Sequence, residues 1–534
     1  MAACPCPGKS GARMTAVKTA SARPPAVRKP VDTAHLPPPE TLAAVDMGSN
    51  SFHLVIARLV QGELQIVDRV RESVRLAAGL DADNVLAEET IGRALRCLEM
   101  FSQRLREVPA HGVRAVGTST ARKATNSRDF LTRARAALGH PIEIVSGREE
   151  ARLIYLGVAH SIADDVGRRL VVDIGGGSTE CILGERFEAL VTDSLEMGCV
   201  SYSSQFFENG DLKKDAFRDA ETAAARELQP MERRYRTMGW DTCVGASGTI
   251  LAVADILRLN GFARQGVTPG GLDKLKKAML AAGKVSRLTL TGLKPDRAPV
   301  LAAGVAILSA VVDTLGIKRM TSTAGALREG LLYDQLGRIR HEDVRDRTIA
   351  RLGERYHVDA EQAARVERTA LQLLRQAAGP WALDAATSRQ LLAWAARLHE
   401  IGMVVSYSGY HKHGAYLVAN TDMPGFSRDE QAVLAELIRT HRRKLAVLFR
   451  DVPPLKSELA LRLAILLRLA VLLNRSRTTT PLPQVALKAD KQALALTFPP
   501  RWLDEHTLTR VDLETEADEL AAIGWTLGVK SAGR

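Results

Sequence analysis

Two short stretches carry residue types suited to handling phosphate. "LVVDIGGGST", residues 170–179, ends an apolar run on Asp173 and follows it with three glycines and two hydroxyls; "AAVDMGSNSF", residues 43–52, repeats the pattern around Asp46. Val45-Asp46-x-Gly48-x-x-Ser51 aligns with Val172-Asp173-x-Gly175-x-x-Ser178. Each copy leads into a second apolar strand and a polar turn, Gln61-Gly62 in one and Gly184-Glu185-Arg186 in the other. A strand entering a Gly-rich hairpin presents backbone N–H groups that the sheet cannot all use, and Gly175, Gly176 and Gly177 let a phosphate approach with no Cβ in the way. Ser49, Asn50, Ser51 and Ser178 add neutral donors. An aspartate repels phosphate, so Asp46 and Asp173 suit a Mg²⁺ ion, which takes one or two carboxylates together with waters and phosphate oxygens. One such hairpin also reads as an ordinary tight turn. Its duplication points to two related lobes with a cleft between them. No G-x-x-x-x-G-K-[ST] loop occurs and no G-x-G-x-x-G follows either strand, which excludes a Walker-type or dinucleotide-binding loop.

Hydrolysis needs, in addition, a group that activates water. "IEIVSGREEARLIYLGVAH" reads as a strand followed by a helix. Ser146 and Glu149 form the S-x-x-E capping box, which gives Glu149 a structural task. Glu150 lies about 100° further round the helix and is left free. Its first-turn position favours the ionised carboxylate that a general base requires; a plain exposed glutamate is the alternative. Arg122, in the hydroxyl-rich "GTSTARKAT" loop, could clamp phosphate oxygens, and a solvated arginine fits the residues as well. "CVGASGTI" sets Gly245, Ser247, Gly248 and Thr249 before the helix "ILAVADILRL", either as an anion site at its N-terminus or as a simple strand-to-helix turn. "TSTAGALREGLLYDQL" shares the form with weaker chemistry.

The elements that must position these residues belong to a chain of 534 residues, 46% hydrophobic and 25% charged, long enough for about three globular domains. From Thr41 a three-strand meander leads into a helix near "ETIGRALRCLEMFSQRLREV" and a strand "VRAVG". The first forty residues, rich in Pro, Ala, Lys and Arg, read as a disordered basic tail with no signal-peptide core. The net charge of +12 favours a polyanionic partner. The scattered cysteines suggest a reducing, cytoplasmic setting, and Cys4 and Cys6 have no second pair with which to build a metal site. The apolar stretch from Leu461 is interrupted by Arg462 and Arg468, which favours a buried helix over a membrane span.

Taken in order, "AAVDMGSNSFHLVIAR", "GTSTARKATNSRDF", "IEIVSGREEARLIYLGV", "VVDIGGGSTE", "MGCVSY", "GASGTI" and "GALREGLLY" closely resemble the exopolyphosphatase/guanosine pentaphosphate phosphatase (Ppx/GppA) family over residues 41 to 340. The resemblance implies an α/β chain with an actin/hexokinase-like ATPase fold: two ribonuclease-H-like lobes, 41–160 and 161–345, and then an all-α HD-like domain, 346–534, with room for a small terminal subdomain. It also implies Glu150 as catalytic base, Asp173 as the magnesium-associated carboxylate and Arg122 as a phosphate ligand.

"LHEIG", "SGYHKHGAY" and "RTHRRK" look like the third domain of the long exopolyphosphatase-type members, with the HD motif broken by His399-Glu400 and by Asn474 in the last helix. His411 and His413, two apart, do not share a helical face, so this region reads as a basic surface rather than a metal centre. The expected activity is hydrolysis of the terminal phosphate of inorganic polyphosphate with Mg²⁺. Guanosine pentaphosphate is the alternative substrate, and a non-hydrolytic alarmone or polyphosphate sensor the alternative of another class. A homodimer without nucleic acid is expected from the resemblance, and peripheral contact with the inner face of the membrane stays open.

Overall fold

The computed structural model describes residues 40–60, 63–162, 167–339, 343–445, 452, 454–478 and 480–532. The basic tail with Cys4 and Cys6, and the Gln61-Gly62 turn, lie outside the described residues.

Strands β1 (Thr41–Met47), β2 (Phe52–Val60), β3 (Glu63–Glu72), β4 (Val113–Gly117) and β5 (Ile142–Ile144) form one sheet in the order β3-β2-β1-β4-β5. Strands β6 (Arg168–Ile174), β7 (Thr179–Glu185), β8 (Glu188–Leu195), β9 (Thr242–Ala246) and β10 (Thr321–Ser322) form a second in the order β10-β9-β6-β7-β8, the same topology read from the other edge. In both sheets the first three strands are an antiparallel meander and the next two add in parallel. The parallel additions require helical crossovers. The repeat extends to detail. The ladder is irregular between Ile56 and Ala57 in β2 and between Leu183 and Gly184 in β7, at the same offset from Asp46 and from Asp173.

β1 and β6 are apolar without alternation because both of their faces are covered. Ala43, Val45 and Met47 enter the first lobe's core and Leu170, Val172 and Ile174 the second's, whereas Leu42, Ala44 and Val171 face a shared core between the sheets. Two helices fill that shared space, Gly147–Ala159 through Leu153, Ile154, Tyr155 and Val158, and Leu327–Ile339 through Leu327, Leu331, Leu332 and Leu336. The helix that begins beside Glu150 is therefore gripped by both lobes. The helix Ala298–Leu315 is long and apolar enough to cross a membrane, yet 72% of it is buried, in the core of the second lobe.

From Val344 to Thr440, and again over Pro454–Leu473, the described chain is mainly helical around one core. Arg468 on the helix Pro454–Leu473 is buried in a two-pronged bond to Glu516, at 2.6 and 2.7 Å, and also donates to the Thr440 carbonyl. This is the buried helix expected of that segment. The all-α expectation for 346–534 needs one correction: β11 (Ala486–Asp490), β12 (Ala493–Phe498) and β13 (Thr526–Ser531) form a three-stranded sheet. "ALALTF" has little β-branched character; what marks it as a strand is burial of every second side chain.

Candidate active site

The turns after β1, β4, β6, β9 and β10 and the first turn of the helix Gly147–Ala159 meet in one cavity of about 440 Å³. Ligand sites of open α/β sheets characteristically lie at the carboxyl ends of strands in this way. The cavity is lined by Asp46, Ser49, Asn50, Ser51, Glu150, Asp173, Gly175, Gly176, Ser178 and Gly248. Residues as far apart in the chain as Asp46 and Gly248 thus converge on one site. Gly177 and Arg122 do not line it.

Glu150 is 7% exposed, and one of its carboxylate oxygens accepts from Arg122 Nη1 at 2.7 Å. The same nitrogen donates to the Val145 carbonyl at 2.9 Å. Arg122 thus stands behind the glutamate and orients it, a different station from the phosphate clamp implied by the resemblance. The capping box is half formed. Ser146 Oγ accepts from the Glu149 N–H at 3.2 Å, but the Glu149 carboxylate turns away, toward Arg152 and the Gly425 N–H.

Four carboxylates stand together: Asp46, Glu150, Asp173 and Glu180. Burial, reinforced by Glu150 and Asp173 and opposed by Arg328, pushes Asp46 up to about 7. Burial and Glu150 push Asp173 up to about 7, against the pull of Ser247 and Arg328. Glu180 is raised well above the ordinary range by burial, Glu150 and Asp173. Asp46 Oδ1 is buried with no hydrogen-bond partner. An orphaned carboxylate oxygen among mutually repelling acids is the environment a cation relieves. Among the described residues no group of three or more His, Cys, Asp or Glu side chains could by itself hold a metal.

The cavity also holds cations that the motif reading passed over. Arg71, Lys294, Arg297 and Arg328 line it. Arg328 Nη1 bonds His53 Nδ1 at 2.8 Å. Burial, then Arg328, Arg71 and Arg297, lowers His53 to about 3, so the imidazole is neutral and Nδ1 accepts the hydrogen bond that the Arg328 guanidinium donates. Arg71 donates to Ser51 Oγ at 3.3 Å and pairs with Asp296 at 3.2 Å, bridging the first hairpin to the second lobe. A Cβ at Gly248 would lie 2.1 Å from the Arg297 guanidinium Nη2, so a larger residue there would push that guanidinium aside. Ser247, which donates to the Ile174 carbonyl at 3.0 Å, sits in the left-handed region at φ 73°, a strained position of the kind concentrated at functional turns.

A signal for two of the missed residues was present. Glu180 and His53 each lie seven positions after a hairpin aspartate and pair with it across the ladder. In the helical domain His399 and His441 are buried, with ring centroids 5.6 Å apart, and His411 is 6.3 Å from His441.

Comparison with known proteins agrees with this geometry. The model of the Ppx/GppA phosphatase family matches residues 55–339, and that of Ppx/GppA phosphatase domain III matches 344–517. A guanosine-5'-triphosphate,3'-diphosphate pyrophosphatase of Aeromonas hydrophila is 42% identical over 489 residues, 90% of this chain and 97% of the relative. The protein of the same name from Vibrio cholerae is 41% identical over 488 residues, 91% and 98% of the two chains. The crystal structure of an exopolyphosphatase from Cytophaga hutchinsonii superposes with a TM-score of 0.50 at 26% identity, over 55% of this chain and 97% of its own.

Proposed function

The chain belongs to the Ppx/GppA phosphatase family, hydrolases of phosphoanhydride bonds with an actin-like ATPase fold, and from that premise we propose that it removes the terminal 5′ phosphate of guanosine pentaphosphate. The observation that carries the choice of substrate is the end-to-end match, helical domain included, to relatives named for that nucleotide. This reverses the order expected from the sequence, where net charge and the length of the helical domain favoured polyphosphate. The same length is found in the nucleotide-named relatives, whereas the solved exopolyphosphatase aligns over nearly its whole length with only 55% of this chain. Polyphosphate remains the second reading, supported by the cations lining the cavity and by that structural likeness.

In the proposed reaction the terminal phosphoryl group sits between the two hairpins, with backbone N–H groups and hydroxyls around its oxygens. Arg122 holds Glu150 in place, and Glu150 takes the proton from the attacking water. Arg328, pinned by neutral His53, offers its charge to the transferring group, and Arg71 and Arg297 receive the remaining phosphates. Asp46 and Asp173, with Glu180 beside them, would hold Mg²⁺, which supplies neutralisation of phosphoryl charge.

Phosphate release from guanosine pentaphosphate and from long-chain polyphosphate tests the reading directly. The nucleotide should be hydrolysed with the higher kcat/KM, and Glu150→Gln should lower kcat by about 10²- to 10⁴-fold. Release from neither substrate would sink the hydrolytic reading, and a polyphosphate preference would reverse the choice between the two.

A further inference from the structure

We propose that Glu149 is a positioning residue that ties the helical domain to the helix carrying Glu150, so that the helical domain sets the geometry of the base. The inference rests on the role assigned to Glu150. It starts from the side chain that left its capping box. Glu149 is 2% exposed, and its Oε2 accepts from the Gly425 N–H at 2.8 Å and from Arg152 Nε at 2.8 Å. Gly425 belongs to the turn that leads into the helix Arg428–Thr440 of the helical domain. The carbonyl of the same glycine accepts from Arg338 Nη2 at 2.7 Å. Its peptide groups are thus gripped on one side by the helix of the base and on the other by the helix Leu327–Ile339.

Those two helices are themselves one unit. A Cβ on Gly157 would lie 2.0 Å from the Ala326 carbonyl oxygen and one on Gly330 1.8 Å from that of Leu153, so the helices meet backbone to backbone. Asp334 joins them by charge, bonded to Arg152 of the first helix, Arg338 of its own and Arg114 of β4. Although burial opposes ionisation, Arg152, Arg338 and Arg114 hold the Asp334 carboxyl well below the usual carboxylate range. On the other side of the joint, Gly425 has φ +90°, and a Cβ there would lie 2.4 Å from Val344 Cγ1 and 2.8 Å from Arg345 Cγ. Val344 and Arg345 open the helical domain. Any shift of that domain is transmitted through a glycine that has no room to give, to the residue next to the base. The solved exopolyphosphatase aligns over 97% of its own length with only 55% of this chain.

A double-mutant cycle in the full-length protein tests this, with phosphate release from guanosine pentaphosphate as the readout and a melting curve on each sample. Glu149→Ala and Gly425→Ala should each lower kcat by about ten- to a hundredfold with KM within about twofold, and the double variant should be no worse than the worse single. Glu149→Gln, which keeps an oxygen for the Gly425 N–H, should fall between wild type and Glu149→Ala. Full kcat in folded Glu149→Ala, or losses that multiply in the double variant, would overturn the tie. If an alanine variant does not fold, Glu149→Gln and Arg338→Gln decide: lowered kcat at unchanged KM supports the tie, and wild-type kcat in both overturns it. Glu150→Gln is measured alongside. Retained activity there sinks the assignment of the base; its loss together with full kcat in the Glu149 and Gly425 variants sinks the tie alone.

Discussion

Across the ladder from Asp46 stands His53, and across from Asp173 stands Glu180. The two hairpins share strand order, register, ladder irregularity and the aspartate itself, and among their differences is the residue that faces that aspartate. His53, held neutral, gathers Arg328, while Arg71 reaches the same hairpin through Ser51. Glu180, whose carboxylate accepts the Ser194 hydroxyl at 2.8 Å, adds a second buried acid beside Asp173. His53 thus draws positive charge to the first turn, and Glu180 adds negative charge beside the second. A symmetric clamp on phosphate, the natural reading of a duplicated motif, gives way to a division of labour. On the proposed reading the first hairpin would face substrate anions and the second, with Asp46, would hold the cation.

This division can be broken by substitution. The largest effect is expected of Asp173→Asn, which removes the carboxylate at the centre of the cation side: phosphate release should fall by about 10²- to 10³-fold and excess Mg²⁺ should not restore it. Glu180→Gln should leave the nucleotide KM near its starting value and raise the half-activating Mg²⁺ concentration by about tenfold, the usual cost of losing a supporting group beside a metal. His53→Ala should do the reverse. With its anchor gone Arg328 loses a hydrogen bond worth about 1 kcal/mol, so the nucleotide KM should rise severalfold at an unchanged Mg²⁺ requirement. Titrations of Mg²⁺ and of nucleotide on the same preparations separate the outcomes. If Glu180→Gln moves the KM and His53→Ala moves the Mg²⁺ requirement, the assignment of the lobes is wrong.

The aspartates, the glycines and the order of strands were legible because each depends on local rules: an apolar run, a turn residue, a repeated spacing. Glu150 was singled out by an argument of which the structure keeps only half. Its neighbour Glu149 was assigned to a capping box, yet only the Ser146 half forms, because the Gly425 N–H from nearly 280 residues away competes for the carboxylate. Arg122 was found as a residue and misplaced as a contact, since no spacing reveals that a guanidinium will turn toward Val145 and Glu150. Arg71, Lys294 and Arg297 sit in segments with no motif at all, and only the closing of the two lobes brings them to the cavity. The strand "ALALTF" was missed because alanine and leucine favour helix when no neighbour is known.

The smallest effect expected is thermal, and it bears on the same contrast. Asp46 and Asp173 rise from 3.8 to about 7 on folding, in both cases chiefly through burial. A raised folded pKa means that the folded chain binds more protons than the unfolded one between those values. The stability these groups contribute is complete below 3.8 and is lost as pH climbs through about 7. The metal-free protein should therefore melt lower at pH 8 than at pH 6. Mg²⁺ binds the deprotonated carboxylates, so it should raise the melting temperature by about 2–6 °C at pH 8 and by much less at pH 6. A Mg²⁺ shift equal at both pH values, or a metal-free protein that melts higher at pH 8, would contradict a cation site built on these acids. Because Asp173 has the buried Glu180 beside it, Asp173→Asn should abolish more of the Mg²⁺ shift than Asp46→Asn does.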